Sequence, residues 1–329
     1  MFFFAKEDQL YYKRFLLKRF SEKVKKPSFK WFPLSYSHFI YDIFKYKKKD
    51  LFYVLKFKLF FKMIFFFVQR HAFHLVDPSI MPLISSISCL ITTLGSVLYF
   101  HGHVFGFKIQ IFGLLCILFC MFFWWRDVIR EGTLEGCHTN IVQLGLRYGM
   151  ILFIVSEIMF FFAFFWAFFA ASISPTIEIG NVWPPKGIEA FSPLEIPLVN
   201  TLILLCSGAT ITYSHHAITC GNKKDAIFGL ILTIALAIIF TGFQGFEYVS
   251  AAFSISDGIF GSVFFLATGF HGFHVFVGTI FLLVCLIRLT SNHFTMEHHF
   301  GFEAAAFYWH FVDVVWLFLY VAVYFWGGN

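Results

Sequence analysis

Seven apolar stretches, each near or above the length of a membrane span, make up most of this chain after its first 78 residues. A helix needs about 20 apolar residues to cross a bilayer. Hydrophobic residues make up 59% of the 329 residues and charged residues only 13%, which excludes an ordinary soluble domain. No alternating pattern of barrel strands occurs, so the sequence predicts an all-α membrane protein, a seven-transmembrane-helix bundle. The predicted spans are 79–100, 106–125, 148–172, 196–214, 226–246, 258–287 and 304–326.

The positions of Lys and Arg predict the orientation, because short loops rich in these residues stay on the inner side of the membrane. The segment before the first span holds 17 of the 25 Lys and Arg residues, which places the N-terminus inside. If the spans alternate in direction, the inner loops carry six more Lys and Arg residues, and the outer loops carry only Lys108 and Lys186. An odd number of crossings then places the C-terminus outside.

Residues 1–70 form a basic, aromatic N-terminal extension that differs in kind from the rest. Its last part, 51–70, has the length of a span but carries Lys56, Lys58 and Lys62, which favours an interfacial helix over an eighth crossing. A cleaved targeting sequence fits poorly, because such peptides are poor in acidic residues and this segment contains several. Basic runs with interleaved aromatic residues also occur in RNA-binding segments, but no RNA-binding motif accompanies them.

Glu157 is the one charged residue in the apolar run 148–177. A carboxyl group within a span costs about 2.5–3.5 kcal/mol on insertion scales, so it is retained where it faces protein, trapped water or a lipid headgroup. The sequence therefore predicts that Glu157 is a buried carboxyl group with a function.

The 14 histidines suggest haem or copper ligands, since many lie in or beside apolar spans. Adjacent pairs such as His215 and His216 point about 100° apart on a helix and do not form one site. His271 and His274 do share a face, but two ligands alone do not hold a redox metal. Hydrogen bonds to neighbouring helices or headgroups are the favoured interpretation. The seven cysteines, an odd number without a CxxC pair, are interpreted as buried small hydrophobic residues.

The segment after the second predicted span, WWRDVIREGTLEGCHT, is interpreted as a charged loop. Trp124 and Trp125 are placed at headgroup level, where amphipathic rings anchor. Arg126 and Arg130 are four residues apart, so both guanidinium groups can face one phosphate of an anionic phospholipid. The alternative is plain surface ion pairs, Arg126 with Glu131 or Asp127 with Arg130, and the residues alone do not decide between them.

Several long motifs then occur in a fixed order from about His71 to Gly328. They are HLVDPS, WWRDVIREGT, LRYGMILFIVSE, FFWAF, WPPKGIEAFSPLEIPLVNT, SHHA, ISDGIFGSVFFLATGFHGFHV and HHFGFEAAAFYWHFVDVVWLFLY. Together they closely resemble cytochrome c oxidase subunit III, over nearly four fifths of the chain. The chain has Met81 and Cys137 where that family usually has Trp and a second His, and it lacks the family's usual His near Ala170.

The resemblance implies a non-redox subunit of the terminal respiratory oxidase, with two helices set apart from five by a V-shaped lipid cleft. By matching position, Glu157 corresponds to the family's buried, carbodiimide-reactive glutamate. The resemblance also implies a set of residues around lipid headgroups in or beside the cleft. These are Trp125, Arg126, Arg130, Glu131, His138 and Arg288.

The resemblance further implies that this chain binds no cofactor or metal itself, and that haem a and copper lie in partner subunits I and II. Its expected contributions to the oxidase are stability of subunit I, bound phospholipids of the phosphatidylglycerol or cardiolipin type, an oxygen path and support for proton uptake. Histidines near the inner face are hypothesised to buffer protons there. The expected location is the mitochondrial inner membrane, with accessory subunits as further partners and no nucleic acid.

Three rival functions stay open at this point. A stand-alone transporter would use Glu157, Glu303 and Asp313 as a relay, and a catalytic haem protein would carry its own chromophore. The matching subunit of a quinol oxidase is the nearest rival. Its relatives often lack the first two helices, which are present here.

Overall fold

A computed structural model of the chain describes residues 71–328, and the predicted extension 1–70, with its interfacial helix 51–70, lies outside the described residues. The described part contains seven helices long and apolar enough to cross a membrane, which confirms the predicted all-α fold and number of spans. They are α1 (Met81–Phe100), α2 (Gly106–Thr133), α3 (Asn140–Ile173), α4 (Ile196–Thr219), α5 (Lys223–Ser250), α6 (Gly258–Thr290) and α7 (Phe300–Leu319). A π-helical segment, Tyr320–Trp326, continues α7.

The connection between α2 and α3 is much shorter than predicted. The segment from Trp124 to Thr133 is the helical end of α2, so its interpretation as a loop was wrong. The predicted span ended where hydropathy drops, at the first charged residue. A helix can continue beyond the hydrocarbon layer, however, and Arg, Asp, Val, Ile and Glu are all compatible with helix. The chain turns at Gly136, whose φ of 69° is a left-handed conformation that favours glycine. Thr139 then caps α3, its Oγ1 accepting from the Val142 amide at 3.5 Å.

Helices α1 and α2 pack closely against each other along their length, and the other five helices form a separate network of contacts. Glycines allow the close approach in the pair. A Cβ atom on Gly95 would lie 2.3 Å from the backbone nitrogen of Gln110, and one on Gly106 would lie 2.3 Å from that of Tyr99. The grouping agrees with the arrangement of two helices plus five.

The glycines in the GxxxG pattern of α3 do not play this role within the chain. Gly145 and Gly149 have the spacing at which membrane helices approach closely, yet a Cβ atom on either would meet no atom within 4 Å. Their spacing places them on one face of α3, but that face is open in this chain. A small-residue pattern shows that a helix can be approached closely, and not that another helix of the same chain does so.

Helix α7 is at the centre of the five-helix group, in contact with α3, α4 and α6. Trp309 and Trp316 are completely buried. Their indole nitrogens donate hydrogen bonds of 2.9 Å to Ser207 Oγ and Thr201 Oγ1 of α4. Because the later tryptophan, Trp316, bonds to the earlier partner, Thr201, the two helices run antiparallel and are joined at two levels.

The cysteine prediction is partly corrected. All seven cysteines are free thiols, but only Cys120 and Cys285 are buried within the described part of the chain. Cys89 and Cys206 lie in the apolar helices α1 and α4 and are exposed on the surface of the chain. A small apolar side chain can face lipid without any protein contact. Hydropathy is the same for a cysteine buried in protein and one that faces lipid, so it did not distinguish the two.

Candidate functional site

Polar contacts bring the α2–α3, α4–α5 and α6–α7 connections together at one end of the bundle, here called the basic end. The side chain of Lys223, at the start of α5, donates to the Thr290 carbonyl oxygen at 2.8 Å and to Asn292 Oδ1 at 2.7 Å. His138, in the α2–α3 connection, lies within electrostatic range of Arg288 and His298. Charged groups that are distant in sequence therefore share one surface.

Glu157 pairs with a histidine of α6. Its Oε2 lies 2.8 Å from His274 Nε2, and 23% of the Glu157 side chain is exposed on the surface of this chain. His274 is 9% exposed and packs against the rings of Phe161 and Tyr308. The predicted carboxyl group is thus partly buried and faces protein on one side. The interpretation of His274 as a hydrogen-bonded histidine agrees with this contact.

The hydrogen bonds of His274 determine where its proton lies. Its Nδ1 lies 2.6 Å from the Phe270 carbonyl oxygen, which can only accept, so Nδ1 carries a hydrogen. A neutral His274 then has a lone pair on Nε2, and the hydrogen between Nε2 and Glu157 must come from the carboxyl group. The alternative is an imidazolium–carboxylate pair, which costs more in a low-dielectric environment. The 2.8 Å contact fits both arrangements, a carboxyl group that donates to a neutral imidazole and an imidazolium–carboxylate pair.

The neutral arrangement predicts an infrared signature, whereas the ionic pair predicts no protonated carboxyl band. We expect a protonated carboxyl C=O band that disappears in Glu157→Gln and moves to higher wavenumber in His274→Phe, because the hydrogen bond is lost while the acid stays neutral. Difference infrared spectroscopy of the purified oxidase in H2O and D2O measures this band. If no such band is lost in Glu157→Gln, the pair is ionic instead.

A second group of polar residues joins α3, α4 and α7 at the basic end. Arg147 donates to both oxygens of Glu303, with distances of 2.7 and 2.9 Å. His299 Nε2 lies 3.4 Å from the same carboxylate and 3.2 Å from His215 Nε2. The Nδ1 atom of His299 donates to the Thr295 carbonyl oxygen at 3.0 Å. The bidentate Arg147–Glu303 contact supplies geometric specificity as well as charge.

The three acids of the hypothetical transporter relay have different surroundings. Glu157 contacts His274, and Glu303 contacts Arg147. Asp313 lies against α4, where its Oδ2 would be 3.0 Å from a Cβ atom on Gly208. Glu157 and Glu303 are thus each held by a partner of their own, whereas the buried Asp313 Oδ1 has no hydrogen-bond partner within the described part of the chain. These different surroundings favour separate roles over a proton relay.

A third group contains His74, Glu131 and His138. Nε2 of His74 lies 4.0 Å from Glu131 Oε2, and the rings of His74 and His138 are 5.8 Å apart. The segment before α1 is tied to α3 by a hydrogen bond from Thr139 Oγ1 to the Ala72 carbonyl oxygen. Burial lowers the pKa of His138, and the nearby His74 adds to this effect, so the His138 imidazole is neutral at pH 7. Burial likewise raises the pKa of the neighbouring Cys137 thiol, and Glu135 adds to it.

The arginines of α2 form ion pairs other than those considered from the sequence. Arg126 bonds to Asp127 at 2.9 Å and lies over the Phe123 ring, and Arg130 lies 3.8 Å from Glu135. Both arginines are about half exposed, so these pairs contribute about 0–1 kcal/mol each. Both guanidinium groups remain accessible to a phosphate. The expected anchor residue Trp125 is also exposed.

Arg288 is the most buried of the arginines expected to contact headgroups. Its guanidinium lies 4.4 Å from the Phe294 ring centre and packs against Gly301. Within the described part of the chain, its buried Nε atom has no hydrogen-bond partner. Arg288 lies within electrostatic range of His138, and His138 lies close to Glu131, whereas Arg126 and Trp125 lie farther back along α2. A largely buried guanidinium that no carboxylate of the described residues balances is suited to an anionic ligand.

Several residues of these groups were absent from the predicted site, among them His74, Arg147 and His274. His74 belongs to the HLVDPS motif, and its position before the first span gave no chemical signal. Arg147 was counted only as an inner-side charge, since its partner Glu303 is 156 residues away. The pairing of His274 with Glu157 likewise required the packing of α6 on α3.

These observations define a multi-pass α-helical membrane protein with two helices apart from five and a charged, histidine-rich end. Residues 71–328 match the family model of cytochrome c oxidase subunit III. The chain belongs to this family, whose members are subunits of cytochrome c oxidase.

Similar proteins named cytochrome c oxidase subunit 3 occur in land plants and algae. That of Marchantia polymorpha is 64% identical over 261 residues, which cover 79% of this chain and 98% of the relative. That of Arabidopsis thaliana is 63% identical over 260 residues, with coverages of 79% and 98%. That of Prototheca wickerhamii is 62% identical over 261 residues, with coverages of 79% and 100%.

Proposed function

We propose that this chain is a non-redox core subunit of the terminal respiratory oxidase that holds phospholipids beside subunit I and stabilises it. Haem a and copper are carried by partner subunits I and II, and this chain contributes the lipid-binding surface. The observation that carries the lipid role is the charge of the Arg288 guanidinium, which lies within electrostatic range of His138 and which no carboxylate of the described residues balances. A phosphate group of an anionic lipid balances that charge.

The two-helix and five-helix groups support the same proposal. Each group is held together internally, so lipid acyl chains can lie between them while the headgroup reaches the basic end. Arg126 and Arg130 add two accessible guanidinium groups on one face of α2, which suits a phosphatidylglycerol- or cardiolipin-type headgroup. We propose Trp125 as the interfacial anchor, Glu131 and His138 as polar headgroup contacts, and the lipid-filled gap as an oxygen path.

We further propose that the membrane is the mitochondrial inner membrane, with the N-terminus in the matrix and the C-terminus in the intermembrane space. The excess of Lys and Arg before α1 and at the basic end supports this orientation. On this basis the basic end faces the matrix, where its histidines support proton uptake. Glu157 has the role of a carbodiimide-reactive carboxyl group facing the membrane interior.

Lipid analysis tests the proposed headgroup site. We expect Arg288→Gln, alone or combined with Arg130→Gln, to reduce the anionic phospholipid that co-purifies with the oxidase by at least one molecule per complex. The loss follows because a neutral amide cannot balance the phosphate charge. Mass spectrometry of extracted lipid, normalised to haem a, measures this content.

Lys108→Gln is the matched control, because it removes one positive charge from the opposite end of α2. Its lipid content should equal that of the wild type. Unchanged lipid content in the Arg288 and Arg130 variants, with full assembly of the subunit, would contradict the proposed site.

A further inference from the structure

Three potential metal ligands converge at the basic end. One nitrogen of His74, one carboxylate oxygen of Glu131 and one nitrogen of His138 all lie within 4.8 Å of one another. They come from three separate pieces of chain: the segment before α1, the last turn of α2 and the connection before α3. We propose that these side chains bind one divalent cation of the zinc class, with a fourth position open to water or an anionic group.

The donor set and spacing suit such an ion. Zinc binds imidazole nitrogen and carboxylate oxygen in tetrahedral geometry, with bonds of about 2.0–2.2 Å and hence neighbouring ligand atoms about 3.3 Å apart. The ligand atoms must therefore approach one another by up to about 1.5 Å, which side-chain rotations provide. At 4.0 Å, His74 Nε2 and Glu131 Oε2 are too far apart for a hydrogen bond, so neither atom is saturated by the other.

The surrounding charges both favour and oppose a cation. Asp77, Glu131 and Glu135 are all close enough to act electrostatically on the Cys137 thiol, so three carboxylates surround this corner. The charge of Glu135 is partly balanced by Arg130. Arg288 and His298 act electrostatically on His138, and the positive charge of Arg288 opposes a cation there. The site is therefore weaker than a closed structural zinc site with four protein ligands, and its binding is reversible by chelators.

The second histidine–carboxylate group of the described chain does not support the same inference. His215, His299 and Glu303 also place ligand atoms within 4.8 Å of one another. Both oxygens of Glu303 are already bonded to Arg147, and the Arg147 charge opposes a cation at that carboxylate. His299 Nδ1 is also engaged by a carbonyl oxygen. This group serves as an internal comparison in the test.

The inference goes beyond the proposed lipid role and does not depend on it, although Glu131 and His138 occur in both. A bound ion would join the segment before α1 to the end of α2 and the start of α3. It would thus connect the two-helix pair to the five-helix group at the basic end.

Zinc binding to the whole purified oxidase tests the site. After treatment with EDTA, the affinity for Zn2+ is measured by competition with a chromophoric chelator, in the wild type and in each variant. We expect His74→Gln and His138→Gln each to weaken one wild-type site at least tenfold. His103→Gln, which alters a histidine in the distant α1–α2 turn, should leave it unchanged. His215→Gln should also have no effect, and a loss of the site in that variant alone would overturn the assignment.

Chemical footprinting of the wild type keeps the test decisive if a variant fails to assemble. Histidines are modified with diethyl pyrocarbonate with and without Zn2+ and read by peptide mass spectrometry. Protection of both His74 and His138 by Zn2+, with His103 unprotected, supports the site. Protection of neither histidine overturns it. Lipid content is measured on the same samples, so failure of the headgroup proposal is seen separately from failure of the metal site.

Discussion

Replacement of Gly95 by alanine is expected to separate α1 from α2 and to destabilise the pair by about 3 kcal/mol, the upper part of the usual range for overpacking. The added Cβ atom would lie 2.3 Å from the Gln110 nitrogen and 2.6 Å from its Cα atom. These are backbone atoms of α2, so no side-chain rotation relieves the clash and the helices must move apart. The gain in helix propensity from Gly to Ala, about 1 kcal/mol, offsets only part of this cost.

The measurement is the temperature at which the chain dissociates from detergent-solubilised oxidase, followed by native electrophoresis after heating. Gly149→Ala is the matched control, since it makes the same chemical change in α3 where a Cβ atom meets nothing within 4 Å. We expect the Gly95 variant to dissociate at a clearly lower temperature and the Gly149 variant to match the wild type. Equal temperatures for both variants would mean that α1 and α2 are not in backbone contact.

This pair of glycines shows what the sequence can and cannot specify in such a protein. Apolar length alone predicted seven helices, because lipid requires every backbone hydrogen bond to be satisfied within a span. Gly95, which brings α1 against α2, belongs to no GxxxG pattern, and the GxxxG pattern of α3 has an open face. Helix–helix contacts in lipid depend on which faces meet, and no single-helix pattern contains that information.

The candidate site was likewise predicted from the sequence only in part. Glu157 was predicted from its position alone, because an acid in a span is costly and is retained only for a reason. Its partner His274 and the Arg147–Glu303 pair each join residues more than a hundred positions apart. Such contacts follow from tertiary packing. The extension of α2 to Thr133 was missed for a simpler reason, since hydropathy reports the thickness of the apolar layer and not the length of a helix.

Removal of Arg147 is expected to give the other large effect. Glu303 is 12% exposed and Arg147 is 39% exposed, so Arg147→Ala leaves a largely buried carboxylate without its bidentate partner. Breaking a fully buried pair costs about 3–5 kcal/mol, and partial exposure places this pair near the lower end, about 3 kcal/mol. The pair joins α3 to α7, so the loss should appear as easier separation of α3 from the helices around α7.

A double-mutant cycle with Glu303→Gln distinguishes pairing from packing. Glu303→Gln alone should cost less than Arg147→Ala, because the remaining arginine is exposed enough to reach water. With both changes, the buried charge is gone, so the double variant should be more stable than the sum of the single effects predicts, by about 2 kcal/mol. SDS titration of the oxidase in mixed micelles, followed by release of the chain, measures all four proteins. Additive effects would show that the two side chains stabilise the fold independently, and that His299 and His215 hold Glu303 without Arg147.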